Sequence, residues 1–289
     1  MTDTRAERTA ARVRLAKLAT PYRAPAAGLR ELGEQATFYA VALRSVPLTL
    51  RRYRLETIRI LTDITWGNGA LIVGGGTIGV IAILALASGA TVALQGYIGL
   101  DALGLAPLIG FVSAFANTRE IAPLISAVAF AAQAGCRYTA QLGSMRIAEE
   151  IDALEAMAVH PVPYLVTTRM IAGFVAIIPL YLVALLASYA TTELVITNVF
   201  SQSSGSFQHY FQTFFSPHDV FLSVVKVTVF VVLATLIHCY YGFTAKGGPD
   251  GVGKAAGRAI RASLITIVLA NMTMTTLFWG FDPGVRISG

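Results

Sequence analysis

Arg119 and Glu120 are adjacent in "NTREIAP" (117–123), and Lys226 follows "FLSVV" (221–225); both stretches border long apolar sequence. An ionisable group inside a bilayer is costly unless it pairs or faces water, so such positions mark a functional path. If all three face one cavity, the two cations would attract an anionic head group. The plainer alternative puts Arg119 and Glu120 at the membrane interface, with Lys226 snorkelling outward.

A second group lies in "GSMRIAEEIDALEAMAVHPVPYLVTTR" (143–169). Ile147, Ile151, Leu154 and Ala158 recur at helical spacing and predict one apolar face. Glu149 and Asp152 fall opposite it, Glu150 and Glu155 flank it, and Pro161 stops the helix. Two readings fit: a short acidic helix over 146–160 that docks into a groove of another protein, or a surface loop with a solvated charged face.

Two glycine-rich stretches imitate nucleotide sites. "GGPDGVGK" (247–254) follows the phosphate-loop pattern up to Lys254, but the Ser or Thr that would bind Mg²⁺ is Ala255, and a membrane crossing rather than a strand precedes it. "GGGTIG" (74–79) matches a dinucleotide fingerprint within an apolar block, where small residues serve close helix packing. No energy-coupling domain, cofactor or metal site is therefore expected in this chain. Cys136 and Cys239 define neither a disulfide framework nor a metal site, and the four histidines have no ligand spacing.

The elements that carry these residues follow from composition. The chain of 289 residues is 55% hydrophobic and 13% charged, where a soluble domain has roughly a quarter charged residues. No Asp, Glu, Lys or Arg occurs in 64–100, 170–192, 227–245 or 262–281. Blocks of about 20 such residues cross a bilayer as helices, which satisfy every backbone group internally. Five crossings are expected, at about 67–95, 118–143, 165–192, 220–245 and 259–281. Thr118 would cap the second, after a broken outer segment over 96–118 with a half-inserted helix. Residues 1–27 read as a basic tail, 28–63 as an amphipathic helix in the membrane interface divided near Pro47, 64–283 as the membrane domain and 284–289 as a tail.

Twelve of the 22 Lys and Arg fall in residues 1–63 and seven more in 137–169 and 246–261, with none in 96–118 or 193–219. The basic side faces the cytoplasm, so the N-terminus is expected inside and the C-terminus outside.

Taken in order, "LQGY" (94–97), "REIAP" (119–123), "AAQAGCRYTAQLGSMRIAEEIDALEAMAVHP" (131–161), "PYLVTTR" (163–169), "SVVKVTVF" (223–230) and "GVGKAAGRAI" (251–260) resemble the MlaE/YrbE permeases. These are the membrane subunits of ABC transporters that move lipids with MCE-domain proteins. The resemblance covers about 50–283. The long basic N-terminus looks most like the actinobacterial YrbE proteins of Mce systems, specifically their B-type member. The resemblance implies an all-α polytopic membrane protein of five spans behind an interfacial helix. It implies that Glu149 to Met157 is a coupling helix, with Arg146, Glu149, Glu150, Asp152, Leu154, Glu155 and Met157 meeting a cytoplasmic ATPase dimer that holds ATP and Mg²⁺. Arg119, Glu120 and Lys226 match charged positions near the family's lipid pocket. Asn271 stands where some relatives carry Asp, which leaves Lys226 either more strongly cationic or paired with Glu120. The expected partners are a paralogous YrbE permease in a heterodimer and an MCE-protein assembly on the outer face. The expected cargo is a fatty acid, mycolic acid, sterol or phospholipid-like lipid, imported across the inner membrane. An ion-driven secondary transporter and a membrane-embedded lipid-modifying enzyme are the rival readings. The first would show internal repeats and the second a nucleophile or metal cluster; neither is visible.

Overall fold

The charge-free blocks form helices, and every regular element among the described residues is helical. The computed structural model describes residues 30, 32–66 and 76–280. The basic tail, the first residues expected in the first span, the first two glycines of "GGGTIG" and the C-terminal tail lie outside them. The described residues begin with three short helices: α1 (32–44), α2 (Val46–Arg52) and α3 (Arg54–Trp66). The chain breaks at Ser45 and again at Tyr53, while Pro47 occupies the first turn of α2, where its missing N–H costs nothing. Two hydroxyls pin this layer to the bundle. Thr49 Oγ1 donates to the Pro163 carbonyl (3.1 Å), and Thr167 Oγ1 donates to that of Ala42 (3.0 Å).

Among the described residues, four helical stretches are long and apolar enough to cross a membrane: Gly76–Asp101, Val162–Asn198, Pro217–Phe243 and Gly248–Trp279. The first, third and fourth are α4, α11 and α12, and the second ends in α9 (Thr168–Asn198). The protein is thus an all-α polytopic membrane protein. α11 starts where its sequence says it should: Ser216 caps the Asp219 N–H, and Pro217 follows in the first turn.

The segment expected to cross from Thr118 is built differently. Helix runs without a break from Ile109 through Ile147, alternating α5 (Ile109–Val112), α6 (Ala122–Phe130) and α7 (Cys136–Ile147) with π-helical turns over Ser113–Ile121 and Ala131–Gly135. Thr118 is not a cap but a buried residue inside the first π-helical segment; its hydroxyl reaches the Ala114 carbonyl and the Tyr189 hydroxyl. The stretch read as a broken outer loop is therefore mostly the end of α4 and the head of this rod, joined by a short turn.

α4 packs along α9, and α11 lies at the centre against α7, α9 and α12. Phe130, Ile177, Tyr181, Val227, Phe230 and Val231 have no exposed surface and fill the shared core. Small residues set the spacing: a Cβ on Gly89 of α4 would overlap the Ser188 carbonyl of α9. At the end of the bundle near Asp101, the amphipathic α10 (Ser204–Phe214) lies across the head of the rod with an aromatic cluster that includes Phe111, Phe207 and Phe211.

The phosphate-loop lookalike falls at the start of α12. Lys254 lies inside the helix and pairs with Asp250 one turn earlier (2.6 Å), so no loop exists there to cradle a phosphate.

Candidate functional site

The three charged residues singled out in the sequence come together at the α10 end of the bundle. The first π-helical segment presents Arg119 and Glu120, α11 presents Lys226, and the last turns of α12 close the group. Pro123 shapes it. In an α-helix the Arg119 carbonyl would accept from the N–H of residue 123, and proline has none. That carbonyl instead accepts from Lys226 Nζ at 2.7 Å.

Lys226 is fully buried, and each of its three N–H donors finds an acceptor: Arg119 O, Glu120 Oε1 (3.0 Å) and Thr275 Oγ1 (2.6 Å). Glu120 is the hub. Its Oε1 also accepts from Thr275 Oγ1 (2.5 Å), its Oε2 accepts from Asn271 Nδ2 (2.7 Å), and its side chain remains 37% exposed. The question left open by Asn271 is answered by geometry: Lys226 takes Glu120 as its acidic partner, and Asn271 supports that carboxylate from the other side.

Arg119 has its own carboxylate. Asp219 Oδ2 accepts from Arg119 Nε (2.9 Å) and Nη2 (2.7 Å), while Asp219 Oδ1 accepts from Trp279 Nε1 (2.9 Å). The guanidinium also lies over the Phe115 ring at 3.9 Å. The expectation of two cations available to an anionic head group is therefore corrected: each cation is neutralised within the protein, and the surface it shares with its surroundings is a half-open carboxylate. Lys226 does not snorkel.

Asp219, Thr275 and Trp279 were not singled out from the sequence, although a signal exists. Asp219 precedes Lys226 by seven residues, two turns along one face of α11, and Asn271, Thr275 and Trp279 recur every fourth residue on α12.

The acidic stretch at the opposite end is not one helix over 146–160. Arg146 and Ile147 end α7, Ala148 and Glu149 form a joint, and α8 runs Glu150–Ala156. Glu149 is left-handed at the joint, with φ 60°. Ile151 is fully buried and Leu154 half-buried, so these two carry the docking face. Ile147 is 38% exposed, and Ala158 belongs to the cap that ends α8 rather than to its apolar face: it has φ 58°, and Val159 N donates to Leu154 O at 3.0 Å. Arg146 Nη1 pairs with Asp152 Oδ1 across the joint at 2.6 Å. Glu149, Glu150, Glu155 and Met157 point outward, forming an exposed acidic edge.

Comparison with known proteins places this architecture. The family model for the MlaE permease matches residues 67–277. The chain belongs to the MlaE permease family. A probable ABC transporter permease protein of Rickettsia prowazekii is 31% identical over 211 residues, 72% of this chain and 81% of its own. One from Synechocystis is 32% identical over 176 residues, 61% of this chain and 67% of the relative. The chloroplastic Arabidopsis thaliana protein TRIGALACTOSYLDIACYLGLYCEROL 1 is 31% identical over 177 residues, 61% of this chain and 51% of the plant protein. Both the Glu120 cluster and α8 lie inside the matched region of this MlaE-family permease.

Proposed function

We propose that this MlaE-family chain is the membrane-spanning subunit of an ATP-driven lipid transporter of the Mce type. The observation that carries the proposal is the rod from Ile109 to Ile147, which has the half-open Glu120 carboxylate near one end and the joint to α8 at the other. At 1.5 Å per residue, about 40 Å separates them. Force applied at α8 passes to α7 through buried Ile151 and the Arg146–Asp152 pair. The two π-helical segments are where the rod can change register and move Glu120 against Lys226.

In this reading a cytoplasmic ATPase dimer, holding ATP and Mg²⁺, docks on Arg146, Glu149, Glu150, Asp152, Leu154, Glu155 and Met157. The outward faces of the spans meet a paralogous permease. An MCE-protein assembly covers the α10 end and delivers lipid towards Glu120, Lys226 and Asn271 for import, with the N-terminus cytoplasmic and the C-terminus periplasmic in the inner membrane. The names of the bacterial relatives support the ABC assignment, and that of the plant relative, which contains a galactosylated diacylglycerol, supports a lipid cargo.

Co-purification tests the reading. An ATPase should come down with the intact chain and be lost when Glu149, Glu150 and Asp152 are changed together to Lys. An ATPase that stays bound to this triple variant, or lipid transport that persists in liposomes without any ATPase, would overturn it.

A further inference from the structure

At the α8 end, a pocket of about 750 Å³ opens between α3, α7 and the first turn of α9. Arg59 and Asp63 line it from α3, Arg137, Gln141 and Ser144 from α7, and Arg169 from α9. Two of its three arginines have carboxylate neighbours. Arg137 Nη2 lies 2.6 Å from Asp63 Oδ1 and 2.5 Å from Oδ2, and Arg59 reaches Glu56 at 3.7 Å.

Arg169 is different. It is only 8% exposed, and no carboxylate pairs with it among the described residues. Nη1 donates to the Leu165 carbonyl (2.7 Å) and Nη2 to Gln141 Oε1 (3.3 Å), while Nε is buried without an acceptor. Two of five N–H donors are thus used by the protein. A buried guanidinium lacking a counter-charge is costly, and an anion entering the pocket would supply the missing charge.

We propose that this pocket is a second, separate binding site of the permease, for an anionic phosphate ester held by Arg169 with Arg137 and the Gln141 amide. A planar guanidinium matches phosphate oxygens in paired hydrogen bonds. The site surrounds its ligand on one flank with α3, whose Leu55 (78% exposed) and Ile58 (57% exposed) are apolar and uncovered. A helix with that flank beside arginines lies in a membrane surface, so the nearest source of phosphate is a phospholipid head group; free phosphate is the aqueous source. The site does not depend on an ATPase binding α8. Its location beside α7, one turn before Arg146, puts an anionic lipid against the base of the lever.

The test uses the purified full-length chain in detergent, mixed with equal amounts of phosphatidylglycerol and phosphatidylcholine and read by native mass spectrometry. The wild type should retain phosphatidylglycerol roughly tenfold over phosphatidylcholine, a difference of about 1.4 kcal/mol. Arg169→Gln should abolish that preference. Ser144→Trp places an indole in the pocket from an exposed position and obstructs it, so it should do the same and decides the matter alone if Arg169→Gln does not fold. Displacement of phosphatidylglycerol by millimolar inorganic phosphate would assign the site to free phosphate, and resistance to it would assign the site to lipid. A folded Arg169→Gln or Ser144→Trp variant that keeps the wild-type preference overturns the proposal.

Discussion

Lys226 donates to Glu120 Oε1 at 3.0 Å from a side chain with no exposed surface, whereas Glu120 keeps 37% of its own surface open. The pair is therefore unequal. Removing Glu120 strands a buried ammonium; removing Lys226 leaves a carboxylate that can still be solvated from its open side and still accepts from Asn271 and Thr275. Glu120→Ala should cost roughly 3 kcal/mol of stability. Lys226→Met keeps the volume and removes the buried charge along with its ion pair and hydrogen bonds, so it should cost less, about 1 kcal/mol. Thermal unfolding of the purified chain in detergent measures the difference, and equal melting of the two variants would contradict the asymmetry.

Asp219 ties three elements together, because its two oxygens take Arg119 from the rod and Trp279 from the end of α12 while it sits in the first turn of α11. Asp219→Ala removes the carboxylate that takes two hydrogen bonds from Arg119, a buried guanidinium, and should destabilise by roughly 3–5 kcal/mol. Trp279→Phe removes one hydrogen bond and should cost about 1 kcal/mol. The ranking, read from unfolding midpoints, is the result to check; a Trp279 variant weaker than the Asp219 one would mean ring packing dominates the closure of α12.

Charge-free blocks made the long helices legible, since nothing but a membrane span needs stretches such as 170–192 without a charge. The head of the rod was hidden for the opposite reason. Asn117 and Thr118 read as loop residues, yet both are buried, with partners far along the chain: Asn117 Nδ2 donates to Thr192 Oγ1 (3.2 Å), and Thr118 meets Tyr189. A local pattern cannot reveal a partner that tertiary packing brings in. The acidic stretch shows the same limit. Periodicity located Ile151 and Leu154 on one face, but nothing in it signals a left-handed Glu149, a conformation usually taken by glycine. Charged residues at Arg119, Glu120 and Lys226 were legible as a group because apolar surroundings make charge conspicuous, while the sign of the site was not, since Asp219 lay outside the set.

The α4–α9 seam makes a prediction by contrast. A Cβ at Gly89 would overlap the Ser188 carbonyl, and the Gly89 carbonyl also accepts from Thr192 Oγ1 at 3.0 Å, so separation of the helices would break that bond as well. Gly89→Ala should destabilise by about 2–3 kcal/mol. Gly253 lies inside α12 with nothing within 4 Å of an added Cβ. Gly253→Ala should stabilise by about 0.5–1 kcal/mol, through helix propensity alone. Both are read from thermal unfolding in the same detergent, and a Gly89 variant as stable as wild type would show that the seam has slack.

The joint before α8 should respond locally rather than globally. Ile151 is the one fully buried side chain of α8, so it is the main anchor of the helix in the core, with half-buried Leu154 beside it. Ile151→Ala should cost roughly 2–3 kcal/mol, spent on undocking α8 before the bundle opens. Amide hydrogen exchange should then accelerate across 150–156 by about a hundredfold while α11 keeps its protection. Glu149→Gly removes the penalty of a left-handed side-chain residue and should leave exchange in α8 unchanged or slower, by up to about 1 kcal/mol of added local stability. If Ile151→Ala instead loosened α11 to the same extent, α8 would be an integral part of the bundle and could not act as a lever upon it.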